Sequence, residues 1–251
     1  MIDYKLEDSV GIISLKINDK NSFGHESFLK LQTILKEVKE NLPNILVLRS
    51  EIADNFSAGL DLTSVSQLKT EKELLDFLGL FYQNLEDLYT LPIPTIAEVN
   101  GHALGYGAML ALACDFRLGV PNLRFGLPEV KIGIRVPAFI IALLSDSIGM
   151  DNAKWHVLLG DAEKAKDIRS LFYDLPDTAE DLAKKTKSLV TKLKRNSSDA
   201  MKETKKAVLL TKQSILKLIE TDKEETIRSI SSPHAKEGIA ATVEVRRPNF
   251  T

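Results

Sequence analysis

A glycine-rich junction between a strand and a helix constrains this chain more than any other feature. Residues 94–128 begin with a β-branched run, pass through Gly101, Gly105 and Gly107, and continue into an apolar stretch of helical length. Glycines at such a junction let the backbone turn sharply and leave amide hydrogens pointing toward a ligand. The segment therefore predicts a strand, a tight turn, and a helix whose first amides are placed to bind a negatively charged oxygen.

A second, shorter segment predicts the same chemistry. Residues 56–62 read FSAGLDL, with small residues and a glycine directly after an apolar strand. This composition allows another backbone amide to be presented to a ligand. Two amides that converge on one oxygen polarise a carbonyl group. The two segments together predict an oxyanion hole.

The rest of the chain alternates strand and helix patterns. Ile13, Leu15 and Ile17 alternate with polar residues, which predicts a strand with one buried face. Apolar residues then follow at helical spacing from Glu26 until Pro43, at positions Phe28, Leu31, Leu35, Val38 and Leu42. We expect a strand at 45–48, a helix at 72–89, a strand at 95–99 and a lysine-rich, mostly helical tail at 163–250. Such alternation indicates an α/β protein.

Composition limits the classes of function. With 251 residues, 44% of them hydrophobic, the chain can form one substantial core. Its single cysteine, Cys114, can form no internal disulfide, which favours a reducing compartment. The first residues lack the basic start of a secretory signal and no apolar run approaches the ~18 residues of a membrane span, so we expect a cytoplasmic protein with no membrane partner. A net charge of −2 gives no reason to expect nucleic acid.

Three motifs resemble those of the enoyl-CoA hydratase/isomerase (crotonase) family. They are SAGLDL at 57–62, NGHALGYG at 100–107, and the tail pattern EGIxAxxExRxPxF at 237–250. The resemblance implies a crotonase-like ββα spiral core at 1–160 and a helical C-terminal region at 161–251 in the same folding unit. It also implies a homotrimer or a dimer of trimers.

The resemblance also assigns a site. It places the two oxyanion-hole amides at Leu60 and Tyr106, the latter where the family usually has glycine, and the catalytic carboxyl at Glu129, in the segment FGLPE at 125–129. Met109 occupies the position of the second glutamate of the hydratases, so one acid remains. Substrate contacts are implied for Ser57, Ala58, Gly59, Asp61, Leu62, Gly105 and Met109. No metal and no cofactor is implied beyond the coenzyme A that the substrate carries.

A single acid/base is sufficient to move a double bond within an enoyl thioester, whereas hydration benefits from two, and a thioether transfers no protons. The segment GIRVPAFIIALL at 133–144 also resembles the isomerases more than the hydratases. We therefore expect a 3-enoyl-CoA isomerase in which an apolar pocket raises the pKa of Glu129 toward about 6 to 7. The alternatives are hydration or another thioester-enolate reaction, and a catalytically silent acyl-CoA-binding protein. Lysines between 184 and 212 either form solvated helix faces or contact coenzyme A phosphates.

Overall fold

Three sheets and ten helices make up the fold. The computed structural model describes residues 1–251. The strands are β1 (Ile2–Glu7), β2 (Val10–Leu15), β3 (Ser22–Phe23), β4 (Ile45–Ser50), β5 (Asn55–Ser57), β6 (Gly59–Leu60), β7 (Thr95–Val99), β8 (His102–Leu104), β9 (Phe116–Gly119), β10 (Arg124–Gly126) and β11 (Glu163–Lys164). The helices are α1 (His25–Glu40), α2 (Leu62–Ser66), α3 (Glu71–Tyr89), α4 (Tyr106–Ala113), α5 (Ala138–Ile148), α6 (Met150–Leu159), α7 (Ala179–Lys194), α8 (Ser198–Thr211), α9 (Gln213–Ile230) and α10 (Pro233–Val243). Short 3-10 turns lie at Glu129–Ile132 and Arg169–Leu171.

Consecutive strand pairs wind between two sheets. The larger sheet has the order β1-β2-β4-β7-β9, and the smaller one has the order β11-β10-β8-β5. Each of the pairs β4/β5, β7/β8 and β9/β10 therefore places one strand in each sheet, in the same order along both. Neighbouring strands from successive pairs are parallel, as crossover connections require. This arrangement is the predicted ββα spiral.

Both faces of the larger sheet are covered. Ile13 and Leu15 of β2 belong to the main core, whereas Val10 of the same strand belongs to a second cluster that α7 covers with Leu182 and Leu189. The prediction that only one face of this strand is buried was wrong, because α7 returns from far along the chain to cover the other face. Burial on both faces also explains the continuous apolar run at the start of β4.

Three predicted element boundaries were also wrong. Ile17 lies beyond β2, where its amide bonds to the side chain of Asn21 instead of continuing the ladder. Leu42 lies beyond α1, which ends at Glu40, and it is exposed. The tail becomes helical only at Ala179, because residues 163–178 contain a short strand and a 3-10 turn. The predicted helix at 72–89 and strand at 95–99 match α3 and β7.

The C-terminal helices close over the first part of the chain. Helix α9 packs against α3 and α5, and α10 packs against α2 and the 3-10 turn at Glu129–Ile132. Ile219 and Ile230 of α9 belong to the main core. This packing brings side chains of α9 and α10 beside the strand-to-helix junctions. None of the helices is both long enough and apolar enough to cross a membrane.

Candidate active site

The glycine-rich junction forms a sharp turn at the start of α4. Gly105 has a φ of +51°, and its amide donates to the carbonyl of Gly126 at 2.9 Å. Tyr106 follows as the first residue of α4. The amide at a helix's first position has no acceptor within the helix. The Tyr106 amide therefore has no acceptor within its own helix.

The second donor position lies on the short strand β6. Leu60 is in register with Phe23 of the parallel strand β3, and the next amide, that of Asp61, donates to the Phe23 carbonyl at 2.9 Å. Consecutive amides of an extended strand point to opposite edges. The Leu60 amide therefore points away from β3.

Close backbone packing holds the two donor segments together. A Cβ atom on Gly59, whose φ is +94°, would lie 2.9 Å from the Leu104 carbonyl oxygen and 3.2 Å from the Tyr106 amide nitrogen. A Cβ atom on Gly107 would lie only 2.5 Å from the Ser57 carbonyl oxygen. These glycines let the backbones of the two segments approach more closely than side chains would allow. The structure thus brings the segments of Leu60 and Tyr106 into direct contact.

Glu129 lies beside this contact, at the start of the 3-10 turn that follows β10. Its Oε1 is 3.3 Å from the point that a Cβ on Gly105 would occupy. Although the residue as a whole is half-buried, its Oε2 is inaccessible to solvent and has no hydrogen-bond partner. Burial raises the pKa of Glu129 to about 7, and a hydrogen bond from its own backbone amide offsets this only in part. The predicted direction of the shift is confirmed.

A largely apolar cavity of about 230 Å³ connects these groups. Glu129 and Arg135 are its only charged lining residues. The full lining is Ala58, Leu60, Leu62, Leu78, Phe81, Leu104, Gly105, Tyr106, Met109, Pro128, Glu129, Ile132, Ile134, Arg135, Pro137, Thr226, Ile230 and Thr242. The cavity therefore offers one carboxyl group and an apolar wall to a ligand.

The Tyr106 side chain points into the core and not outward. Its ring packs against Phe23, Phe28 and Phe81, with centroid distances of 5.0, 4.9 and 4.8 Å. Its hydroxyl group donates to the Phe81 carbonyl at 3.4 Å. Burial raises the pKa of the Tyr106 phenol well above its ordinary value. The ring is therefore an uncharged part of the core that also lines the cavity.

The residues implied as substrate contacts divide into two groups. Four of the seven line the cavity, namely Ala58, Leu62, Gly105 and Met109. Ser57, Gly59 and Asp61 lie outside the lining. The Ser57 hydroxyl donates to the Asn21 carbonyl at 2.7 Å, and the Asp61 carboxylate caps α2 by accepting from the Thr63 amide. The geometry gives these three residues supporting roles.

Residues of distant helices complete the lining. Leu78 and Phe81 come from α3, Thr226 and Ile230 from α9, and Thr242 from α10. Arg135, just before α5, was also absent from the predicted site. No local motif marks these positions, because the packing of α3, α9 and α10 and of the segment before α5 brings them to the cavity.

A spiral of ββα units with this strand order is the crotonase fold. The family model for enoyl-CoA hydratase/isomerase matches residues 6–251, and this chain belongs to that family. Among its relatives, "Enoyl-CoA isomerase/hydratase fer4" of Mycosarcoma maydis is 41% identical over 133 residues, which cover 51% of this chain and 48% of that protein. Human mitochondrial methylglutaconyl-CoA hydratase is 34% identical over 152 residues, which cover 59% of this chain and 44% of that protein. The chain thus spans about half the length of these relatives.

Solved structures share the fold over nearly the whole chain. Human mitochondrial delta3-delta2-enoyl-CoA isomerase superposes with a TM-score of 0.88 at 21% identity, covering 97% of each chain. The enoyl-CoA hydratase of Bacillus halodurans superposes with a TM-score of 0.87 at 21% identity, covering 96% of this chain and 99% of that one. One fold therefore accommodates proteins named for both reactions.

Proposed function

We propose that this protein is a 3-enoyl-CoA to 2-enoyl-CoA isomerase with Glu129 as its acid/base. One observation carries the proposal: Glu129 is the only carboxyl group in the cavity lining, and Met109 lines the same cavity without an ionisable group. Moving a double bond requires one group that removes and returns a proton, whereas adding water benefits from a second group.

Proton transfer would begin with Glu129 as the carboxylate. Its Oε2 has no competing hydrogen-bond donor, so it is free to remove a proton from C2 of the bound 3-enoyl thioester. The electrons of the broken C–H bond delocalise over C2 to C4 and the thioester oxygen. The protonated carboxyl then delivers the same proton to C4, which leaves the double bond between C2 and C3. The carboxylate is regenerated, so the reaction needs no other reactant.

The two backbone amides would stabilise the charge that forms on the thioester oxygen. The contact between Gly59 and the Tyr106 amide supports a geometry in which Leu60 and Tyr106 donate to one oxygen. Donors that are already oriented in a water-poor cavity stabilise developing charge more strongly than water does. No metal is required for this step, and coenzyme A enters as part of the substrate.

Assembly into a homotrimer or a dimer of trimers is part of the proposal. Helix α6 exposes Trp155, Leu158 and Leu159, each with more than half of its surface accessible in the single chain. A second copy would cover apolar surface of this kind. Light scattering on the purified protein would test the subunit number.

A second candidate is hydration or another thioester-enolate reaction with one glutamate. The similarity to human methylglutaconyl-CoA hydratase favours keeping this candidate. The same cavity in a catalytically silent acyl-CoA-binding protein would bind ligand without converting it. Products, and not the fold, distinguish the three.

The test is the appearance of conjugated enoyl-thioester absorbance when purified protein meets 3-enoyl-CoA substrates of short and long chain. Glu129→Gln should abolish the signal, and Met109→Leu, which keeps an apolar side chain of similar size, should retain it. The 3-hydroxyacyl product measured in parallel would identify hydration. Absence of conjugated product at every chain length would reject the isomerase, and equal rates for parent and Glu129→Gln would reject the role of Glu129.

A further inference from the structure

Arg135 lines the same cavity as Glu129 and has a hydrogen-bond donor without a partner. Its Nη2 forms an ion pair with Asp222 at 2.9 Å, and its backbone amide donates to the Ser229 hydroxyl at 2.8 Å. Its Nη1, by contrast, is inaccessible to solvent and has no hydrogen-bond partner. The Arg135 side chain is 32% exposed and belongs to the lining of the cavity that holds Glu129.

The ion pair with Asp222 does not fully balance the charge of Arg135. The Asp222 carboxylate is 1% exposed and also accepts from the amides of Ala138 and Phe139, at 2.9 and 2.7 Å. These amides form the N-terminus of α5, which carries partial positive charge. Asp222 therefore shares its negative charge between the guanidinium and the helix, and the region around Nη1 remains positive.

The other polar side chains of the lining already have partners. The Thr226 hydroxyl is 2.6 Å from the Tyr82 hydroxyl, and the Thr242 hydroxyl donates to the Gly238 carbonyl at 2.8 Å. The Tyr106 hydroxyl is bonded to Phe81. Apart from Glu129, Arg135 therefore supplies the one polar side-chain group of the lining that has no partner.

Arg135 also does not set the pKa of Glu129. That pKa is raised by burial and not by a neighbouring charge. A buried arginine donor without an acceptor is unfavourable, and a carboxylate is the acceptor that a guanidinium binds most strongly. The Nη1 donor of Arg135 therefore fits a carboxylate that comes from a ligand and not from the protein.

We propose that Arg135 binds a second carboxylate on the acyl group, so that the substrate class is the thioester of a dicarboxylic acid. This inference rests on the acyl-thioester site of the proposed function. The thioester end would lie at the amides of Leu60 and Tyr106, and the free carboxylate would bind the Nη1 group of Arg135. A substrate that ends in a methyl group would leave that donor unpaired, which disfavours it.

Calorimetric titration with saturated acyl-CoA ligands tests this without any turnover. Each ligand that ends in a carboxylate is paired with one of the same chain length that ends in a methyl group. The carboxylate form of at least one pair should bind roughly tenfold to a hundredfold more tightly to the parent protein. Equal or tighter binding of the methyl form at every length would overturn the inference.

Variants of Arg135 then assign the preference to this residue. Arg135→Met should remove the preference, and Arg135→Lys, which keeps the charge and the pairing with Asp222, should reduce it only in part. Folding is checked by circular dichroism. If Arg135→Met does not fold, the reduced preference of Arg135→Lys is the test of the role of Arg135. A preference that survives in folded Arg135→Met would overturn the role of Arg135. A carboxylate preference in a protein without isomerase activity would leave this inference standing and reject the proposed reaction alone.

Discussion

Two carboxylates on neighbouring parts of the spiral have opposite environments. Asp115, between α4 and β9, accepts from the amide and hydroxyl of Thr95 at 2.8 and 3.0 Å and from the Lys205 ammonium at 2.7 Å. Glu129, after β10, has an oxygen that is sealed from solvent and has no donor at all. The fold supplies three donors to the Asp115 carboxylate, which joins its elements, and none to the Oε2 atom of Glu129, the atom that the proposed reaction uses as its base. The comparison shows that the supply of hydrogen-bond donors, and not burial alone, separates a carboxylate that holds the fold together from one that is proposed to transfer a proton.

The largest expected effect comes from removing the unpaired carboxylate. Glu129→Gln should lower isomerase kcat by roughly a hundredfold to ten-thousandfold, because an amide cannot act as the base. Stopped-flow absorbance of the conjugated product would measure it. Asp115→Asn serves as the contrast and should retain kcat per folded molecule. Similar losses of kcat in Glu129→Gln and Asp115→Asn would contradict the different roles given to the two carboxylates.

The next effect concerns the contact that places the donor amides. Gly59→Ala should lower kcat roughly a hundredfold, since the added Cβ would lie 2.9 Å from the Leu104 carbonyl oxygen and displace the Tyr106 turn. Gly79→Ala is the matched control, because a Cβ at this position of α3 meets nothing within 4 Å. That control should keep full activity and gain about 0.5–1 kcal/mol of stability. Unchanged activity in Gly59→Ala would argue against the oxyanion hole.

Removing the paired carboxylate should act on stability. Asp115→Ala leaves Lys205, whose side chain is 9% exposed, without its counter-ion. The free energy of unfolding should fall on the order of 3 kcal/mol in urea denaturation. Glu203→Ala, which breaks an exposed pair with Lys206, should change it little. Equal changes in the free energy of unfolding for Asp115→Ala and Glu203→Ala would show that Lys205 finds another partner.

The pH dependence should follow Glu129. Because the carboxylate is the base, kcat/KM should fall about tenfold per pH unit below the Glu129 pKa of about 7 and level off above it. Its folded-state pKa is raised, so its contribution to stability is fully present below about 4.5 and is lost as pH rises through about 7. Glu129→Gln lacks this loss, and its stability relative to the parent should increase from acid to alkaline pH. If the free energies of unfolding of the parent and of Glu129→Gln change with pH in parallel, the raised pKa assigned to Glu129 is wrong.

The smallest effect is expected at the Tyr106 hydroxyl. Its bond to the Phe81 carbonyl is long, at 3.4 Å, so Tyr106→Phe should cost at most about 1 kcal/mol of stability. Activity should be unchanged, because only the backbone amide takes part. Thermal denaturation and the absorbance assay measure both, and a large loss of kcat would assign the hydroxyl a chemical role.

Local patterns were enough to predict the elements that surround the site. The strand at 95–99, the turn at Gly105 and the helix at 72–89 follow from residues that are neighbours in the chain. The errors at Ile17 and Leu42 occur where one side-chain hydrogen bond or the end of a helix interrupts a continuing apolar pattern. Periodicity predicts which residues prefer burial but not where a partner element stops.

The sequence by itself determined the family motifs, the place of Glu129 in the FGLPE segment and the two glycine-containing segments of Leu60 and Tyr106, because each depends on residues close together in the chain. Only the tertiary structure decided that Tyr106 packs inward, that Asp115 pairs with Lys205, and that Arg135 faces the cavity. These outcomes depend on helices that return from far along the chain. Whether a buried polar group finds a partner is a property of the packed core, and no local pattern encodes it.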